Sequence, residues 1–173
     1  MLLTPKIEKA IKRASELHDK KNRKVEHNLP YISNLFAVAT ILSIYAEDED
    51  VLIAGLLHKV MKGSNYTIDE LKFEFGSIAA KTVEQLIADS KEEYIEQLKR
   101  ADARTLMVAA AQNLNELNDL VAQYKKRGAK SENLEEQIKF YEDVLKILEE
   151  RLESAIVPEY KKVVKEFDKV VNQ

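Results

Sequence analysis

The stretch Leu52-Ile-Ala-Gly-Leu-Leu-His58-Lys59-Val-Met-Lys62-Gly63-Ser64 joins an apolar run to a histidine, two lysines and a glycine. A lone histidine at the end of an apolar helix is either a hydrogen-bonded, partly buried side chain or one member of a metal or acid–base site. Lys59 and Lys62 stand three residues apart, a spacing that puts two side chains on one helix face. Such a pair is either solvated or set to hold phosphate. An ammonium on a flexible stem can replace metal charge in binding, but it cannot deliver an activated hydroxide. A second basic set, Arg23-Lys24, lies within 20–24, which by its residues alone reads as a solvated helix end. His18 and His27 have no partner at a metal-binding spacing.

Other chemistries lack their residues. There is no cysteine, hence no thiol nucleophile, disulfide framework or zinc–thiolate site. Four glycines are too few for a phosphate-cradling loop, and no His-Glu-x-x-His spacing occurs. Acidic pairs such as Glu92-Glu93 and Glu135-Glu136 read as exposed helix faces.

The elements that must carry these groups read as helices. The chain has 173 residues, 45% hydrophobic and 33% charged, enough for one domain with a real core. The scarcity of glycine, with only three prolines, argues against turn-rich β structure and for an all-α fold. The N-terminus lacks the apolar segment of a signal peptide, and no run is long and apolar enough to span a membrane, so a cytoplasmic protein is expected. A net charge of −3 gives no reason to expect nucleic acid or an anionic membrane as partner.

Taken in order, Thr4-Pro5 predicts a helix start, with Leu3, Ile7, Ala10, Ile11, Ala14 and Leu17 on its buried face. A helix from about Ser33 has few polar positions and is expected to be central. Residues 51–57 are apolar on all sides, the mark of a helix buried between others, with Gly63 as its stop. Thr67-Ile-Asp-Glu70 and Ser90-Lys-Glu-Glu93 have the spacing of capping boxes. Ser77 is expected to cap a helix that turns Ile78, Val83, Leu86 and Ile87 inward. A long helix or a broken pair follows over about 102–124. Beyond 125–128 the chain reads as a helical hairpin: a stripe of Leu134, Ile138, Tyr141, Val144 or Leu145, Leu148 and Leu152, a break at Pro158, and a last helix carrying Tyr160, Val163, Val164, Phe167, Val170 and Val171. That stripe either packs on its own domain or forms a seam over 134–152 for a protein partner or a second copy.

Four segments, in order, resemble the HD-domain hydrolases of RelA/SpoT-type alarmone enzymes, including the small stand-alone (p)ppGpp hydrolases. They are Ala14-Ser-Glu-Leu-His18 followed by Arg23-Lys24, Pro30-Tyr31-Ile32 to Val38-Ala39, Ala54-Gly-Leu-Leu-His58 with Thr67 to Phe75-Gly76, and Ala111 to Leu117. The resemblance runs from about 8 to 125. It implies a single domain over 1–173: an HD-like bundle of about eight to ten helices, with a core over 1–125 and the hairpin 126–173 packed on it.

In that family one divalent metal, typically manganese, is held by a histidine, a His-Asp pair and a distant aspartate, and two adjacent carboxylates position the attacking water. By resemblance the four ligand positions here are Asn34, His58, Lys59 and Gln112, and the two carboxylate positions are Lys62 and Gly63. Only His58 keeps the family's residue type. Lys59 while protonated cannot ligate and repels a cation. The resemblance therefore implies a degenerate site with no catalytic metal and no catalytic residue. It would act by binding a phosphorylated nucleotide such as (p)ppGpp, through Arg23, Lys24, Tyr31, Asn34, His58, Lys59, Lys62 and Gln112, or by binding a protein partner. The alternatives are a manganese-dependent hydrolase with a rearranged site, and a structural or oligomerising module.

Overall fold

A computed structural model describes residues 3–18, 32–61, 64–127 and 133–172. Among them are nine α-helices and no strand: α1 Pro5–His18, α2 Ile32–Tyr45, α3 Glu49–Leu57, α4 Ile68–Phe75, α5 Ser77–Glu84, α6 Lys91–Leu98, α7 Ala103–Arg127, α8 Leu134–Arg151 and α9 Ile156–Val171. None is long and apolar enough to cross a membrane. The helices gather into two compact groups, Met1–Ile87 and Ala88–Gln173.

In the first group α3 is the hub, packing against α1, α2 and α5, while α4 packs on α5. The reason is its composition: every residue from 51 to 57 is buried, and burial of apolar surface is the main driving force of folding. The helix starts at Asp48, whose carboxylate accepts from the Asp50 N–H at 3.0 Å, and Glu49 and Asp50 set negative charge in the first turn, where the dipole favours it. α1 is tied to that same end by Lys6, whose Nζ lies 2.7 Å from Asp50, and by a hydroxyl–carboxylate contact from Thr4 to Glu49.

α4 opens with a complete capping box. The Glu70 N–H donates to Thr67 Oγ1 at 3.2 Å, and the Thr67 N–H donates to Glu70 Oε2 at 2.7 Å. At Gly76 the backbone turns into α5 with φ +93°, a conformation that favours glycine. Gly76, not Ser77, is thus the junction residue, and Ser77 is already helical.

In the second group α7 packs against α9, with α8 on both and α6 on α7 and α8. The small-residue run at 108–111 of α7 is wholly buried, which permits close helix packing. α6 begins at Ser90, which accepts from the Glu93 N–H, while Glu93 reaches the Asp89 N–H instead of completing the box. Its far end is closed by Arg151 of α8, whose guanidinium donates to the Leu98 and Ala101 carbonyls, both at 2.8 Å.

Several expectations are corrected by this arrangement. α2 buries Leu35, Val38 and Leu42 but exposes Phe36 and Ile44, so one side of it faces water despite its apolar sequence. Leu3, Ile78 and Ile87 are also exposed, because each sits at a helix end beyond the packed face. Pro158 does not break α8: that helix stops at Arg151, and Pro158 lies in the first turn of α9, where a missing N–H costs nothing. Of the stripe, Tyr141 and Leu148 on α8 and Leu152 just after it are buried, and Leu134, Ile138 and Leu145 are half-buried.

Candidate ligand site at the end of the buried helix

The site is set by the approach of α2 to α3. A Cβ on Gly55 would stand 2.3 Å from Leu42 Cδ1 and 3.7 Å from Val38 Cγ1. Glycine therefore lets the two helices close together. Because Asn34 lies two turns before Leu42 and Lys59 one turn after Gly55, the helices run antiparallel and these two residues meet. Lys59 Nζ donates to Asn34 Oδ1 at 3.4 Å. Asn34 is buried and Lys59 half-buried.

α3 ends at Leu57, earlier than Gly63, which lies outside the described residues. His58 is its C-terminal cap and is itself buried. Its Nδ1–H donates to the Gly55 carbonyl at 2.7 Å, since a carbonyl can only accept. That bond makes Nε2 the unprotonated nitrogen of the neutral ring. The helix end carries partial negative charge, which favours a lysine at position 59 just beyond it.

Gln112 is half-buried on α7, in the second helical group. Arg23, Lys24, Tyr31, Lys62 and Gly63 lie outside the described residues, as does His27. Next to Gln112, Asn113 is buried and donates through Nδ2 to the Tyr94 hydroxyl at 3.0 Å and to the Ala109 carbonyl at 2.8 Å. Sequence reasoning gave Asn113 no role. Its one signal was an amide inside a run of small buried residues.

A divalent cation needs several oxygen or imidazole lone pairs turned to one point. The described donors do not fit one. The Asn34 oxygen is taken by an ammonium group, which also repels a cation. Among the described residues no three His, Asp or Glu side chains lie together as a metal site. What the pair offers an anion is the Lys59 ammonium and the Asn34 amide alone, since a helix C-terminus itself favours cations.

The family model described as the HD domain matches residues 10–139. The chain belongs to the HD-domain family. Among curated relatives, this HD-domain chain is 33% identical over 107 residues to a GTP pyrophosphokinase of Streptomyces antibioticus, covering 62% of the chain but 12% of that protein. It is 29% identical over 116 residues to the mouse guanosine-3′,5′-bis(diphosphate) 3′-pyrophosphohydrolase MESH1, covering 62% of the chain and 65% of the relative. The chain thus matches a small part of the first relative and just under two thirds of the second. A solved structure described as a metazoan ortholog of SpoT that hydrolyzes ppGpp superposes with a TM-score of 0.78 at 22% identity, over 100% of this chain and 97% of that one. A Listeria monocytogenes structure aligns at TM-score 0.68 over 80% of the HD-domain chain. At these identities the superpositions establish the shared helical fold.

Proposed function

We propose that this HD-domain protein binds an anionic phosphorylated nucleotide of the (p)ppGpp class without turning it over. The observation that carries the reading is the Lys59 ammonium 3.4 Å from Asn34 Oδ1, a cation placed on the oxygen that a metal would need. The substrate named for the hydrolase relatives supports the ligand class. In this reading Lys59 neutralises a phosphate oxygen, and the buried Asn34 amide and His58 ring shape the adjoining wall. Arg23, Lys24, Tyr31, Lys62 and Gln112 supply the remaining contacts that the family resemblance implies. The charge is a point charge on a mobile stem, so it can hold phosphate but activates no water.

Calorimetric titration with ppGpp, GTP and GDP tests the proposal, with and without manganese. Saturable binding that does not need metal is expected, and Lys59→Asp should weaken it at least about tenfold, the value of one half-buried charge contact. Absence of heat with every nucleotide sinks the reading, as does affinity unchanged by Lys59→Asp.

A second reading is favoured by the relatives themselves, which are named as pyrophosphohydrolases. In it the chain is a hydrolase with a rearranged site using His58. Manganese-dependent release of pyrophosphate from ppGpp that disappears in His58→Ala would establish it over the binding proposal.

A further inference from the structure

The segment between α3 and α4 carries Lys59 near one end, so its other end must be held if the ammonium is to keep its place. Side chains that bind ligands from loops depend on a rigid scaffold. Between Val60 and α4 the one buried side chain among the described residues is Tyr66. The Arg13 guanidinium lies 5.6 Å from the centroid of its ring. Its hydroxyl donates to Glu74 Oε1 at 3.2 Å. Burial and the neighbouring Glu74 carboxylate push the phenol pKa well above its usual range, so the hydroxyl stays a donor.

Glu74 is itself fixed. Arg13 of α1 grips it with Nη2 2.8 Å from Oε1 and Nε 3.3 Å from Oε2, and Lys9 Nζ lies 3.3 Å from Oε2. A two-point guanidinium–carboxylate pair sets geometry as well as charge. From Tyr66 the bonds run back towards the site. The Tyr66 N–H donates to Ser64 Oγ at 3.3 Å, and the Ser64 hydroxyl donates to the Val60 carbonyl. On its other side the Val60 N–H donates to the Leu57 carbonyl at 3.0 Å. The backbone beside Lys59 is therefore tied to the end of α3 and, through Ser64, Tyr66 and Glu74, to α1 and α4.

We infer that Tyr66 is a positioning residue: clamped by Glu74 and Arg13, it holds the backbone at Lys59 so that the ammonium meets a nucleotide phosphate beside Asn34. This rests on the binding reading above and extends it to a residue that reading does not use. Lysine has a flexible stem, and the freedom it loses on binding weakens affinity. A backbone already fixed at the root of the stem leaves less freedom to lose.

Tyr66→Phe removes one hydroxyl and keeps the ring beside Arg13, while Glu74 keeps its bonds from Arg13 and Lys9, so the fold is expected to survive. Calorimetric titration with ppGpp should then show affinity reduced about three- to tenfold. Ser64→Ala should act in the same direction, and Ser64→Thr, which keeps a hydroxyl, should bind nearly as well as the unaltered chain. In a Lys59→Met chain the loss from Tyr66→Phe should shrink to less than about twofold, because the two residues act along one path. A merely structural role gives the same loss in both backgrounds. That result, or unchanged affinity in Tyr66→Phe, overturns the inference while nucleotide binding and its dependence on Lys59 stand. Hydrogen exchange without ligand tests the clamp directly: Tyr66→Phe should speed exchange across 58–61 and 64–66 and leave α7 unaltered. Unchanged exchange there overturns the clamp whether or not any nucleotide binds. A chain that binds no nucleotide overturns the binding reading and, with it, the role of Tyr66.

Discussion

Gly55 has no side chain, and the space one would fill belongs to Leu42. Two effects oppose each other in Gly55→Ala. Replacing a helical glycine gains up to about 1 kcal/mol of propensity, while overpacking a dense core costs about 1–3 kcal/mol. Leu42 is fully buried, so it has nowhere to turn, and the clash is expected to win. Urea denaturation should show a net loss, partly recovered in Gly55→Ala with Leu42→Val; a stabilised single variant would show that this contact does not set the α2–α3 spacing. Asn34 and Lys59 illustrate what was legible at this scale. Their types were plain in the sequence, and family resemblance paired them as ligand positions. That Lys59 would donate to Asn34 was not legible, because it depends on how closely two helices approach. The remaining site residues fall outside the described structure or in the second helical group, so their convergence rests on the resemblance.

Helices announced themselves where the signal is local. The capping box at Thr67 and the all-apolar run at 51–57 each have a cause within a few residues, and both are found. Ser77 and Pro158 were misread for a related reason: a cap or a break depends on the φ of the preceding residue and on where the helix already ends. The ties between elements left no local trace. Arg151 reaches back 53 residues to the Leu98 carbonyl, and no periodicity signals it. Arg151→Met should strip two carbonyls at the α6 end of their donors and cost about 1–3 kcal/mol, read as a lower denaturation midpoint. Thr67→Ala should cost about 1 kcal/mol through α4 alone. If Arg151→Met proved neutral, α6 would be held by its apolar face and not by this cap.

At the scale of the whole molecule, acid is the informative stress. Glu74 has burial working to raise its pKa, but bonds from Arg13 and Lys9 outweigh that and hold its carboxyl below the ordinary 4.5. The exposed Glu8, Glu96 and Glu166 are lowered in the same direction, each by a hydrogen-bonding lysine. A carboxylate with a depressed folded pKa contributes stability that is present above its unfolded value and lost as pH falls through the folded one. Thermal stability should therefore be level above about pH 5 and decline below about pH 4.5. Glu74→Gln should flatten part of that decline while lowering stability at neutral pH, since it alone of these four is largely buried. A decline of unchanged steepness in Glu74→Gln would remove the α1–α4 cluster from the account.

The burial of residues 51–57 in α3 also has a historical consequence. Its placement is fixed by the residues before His58, so the residues after it can be exchanged without moving the mount. A lineage can lose one chemistry and acquire another here while the scaffold stays under the same selection. The reverse experiment is equally short: substitutions at 34 and 59 would fall on the same buried frame of α2 and α3.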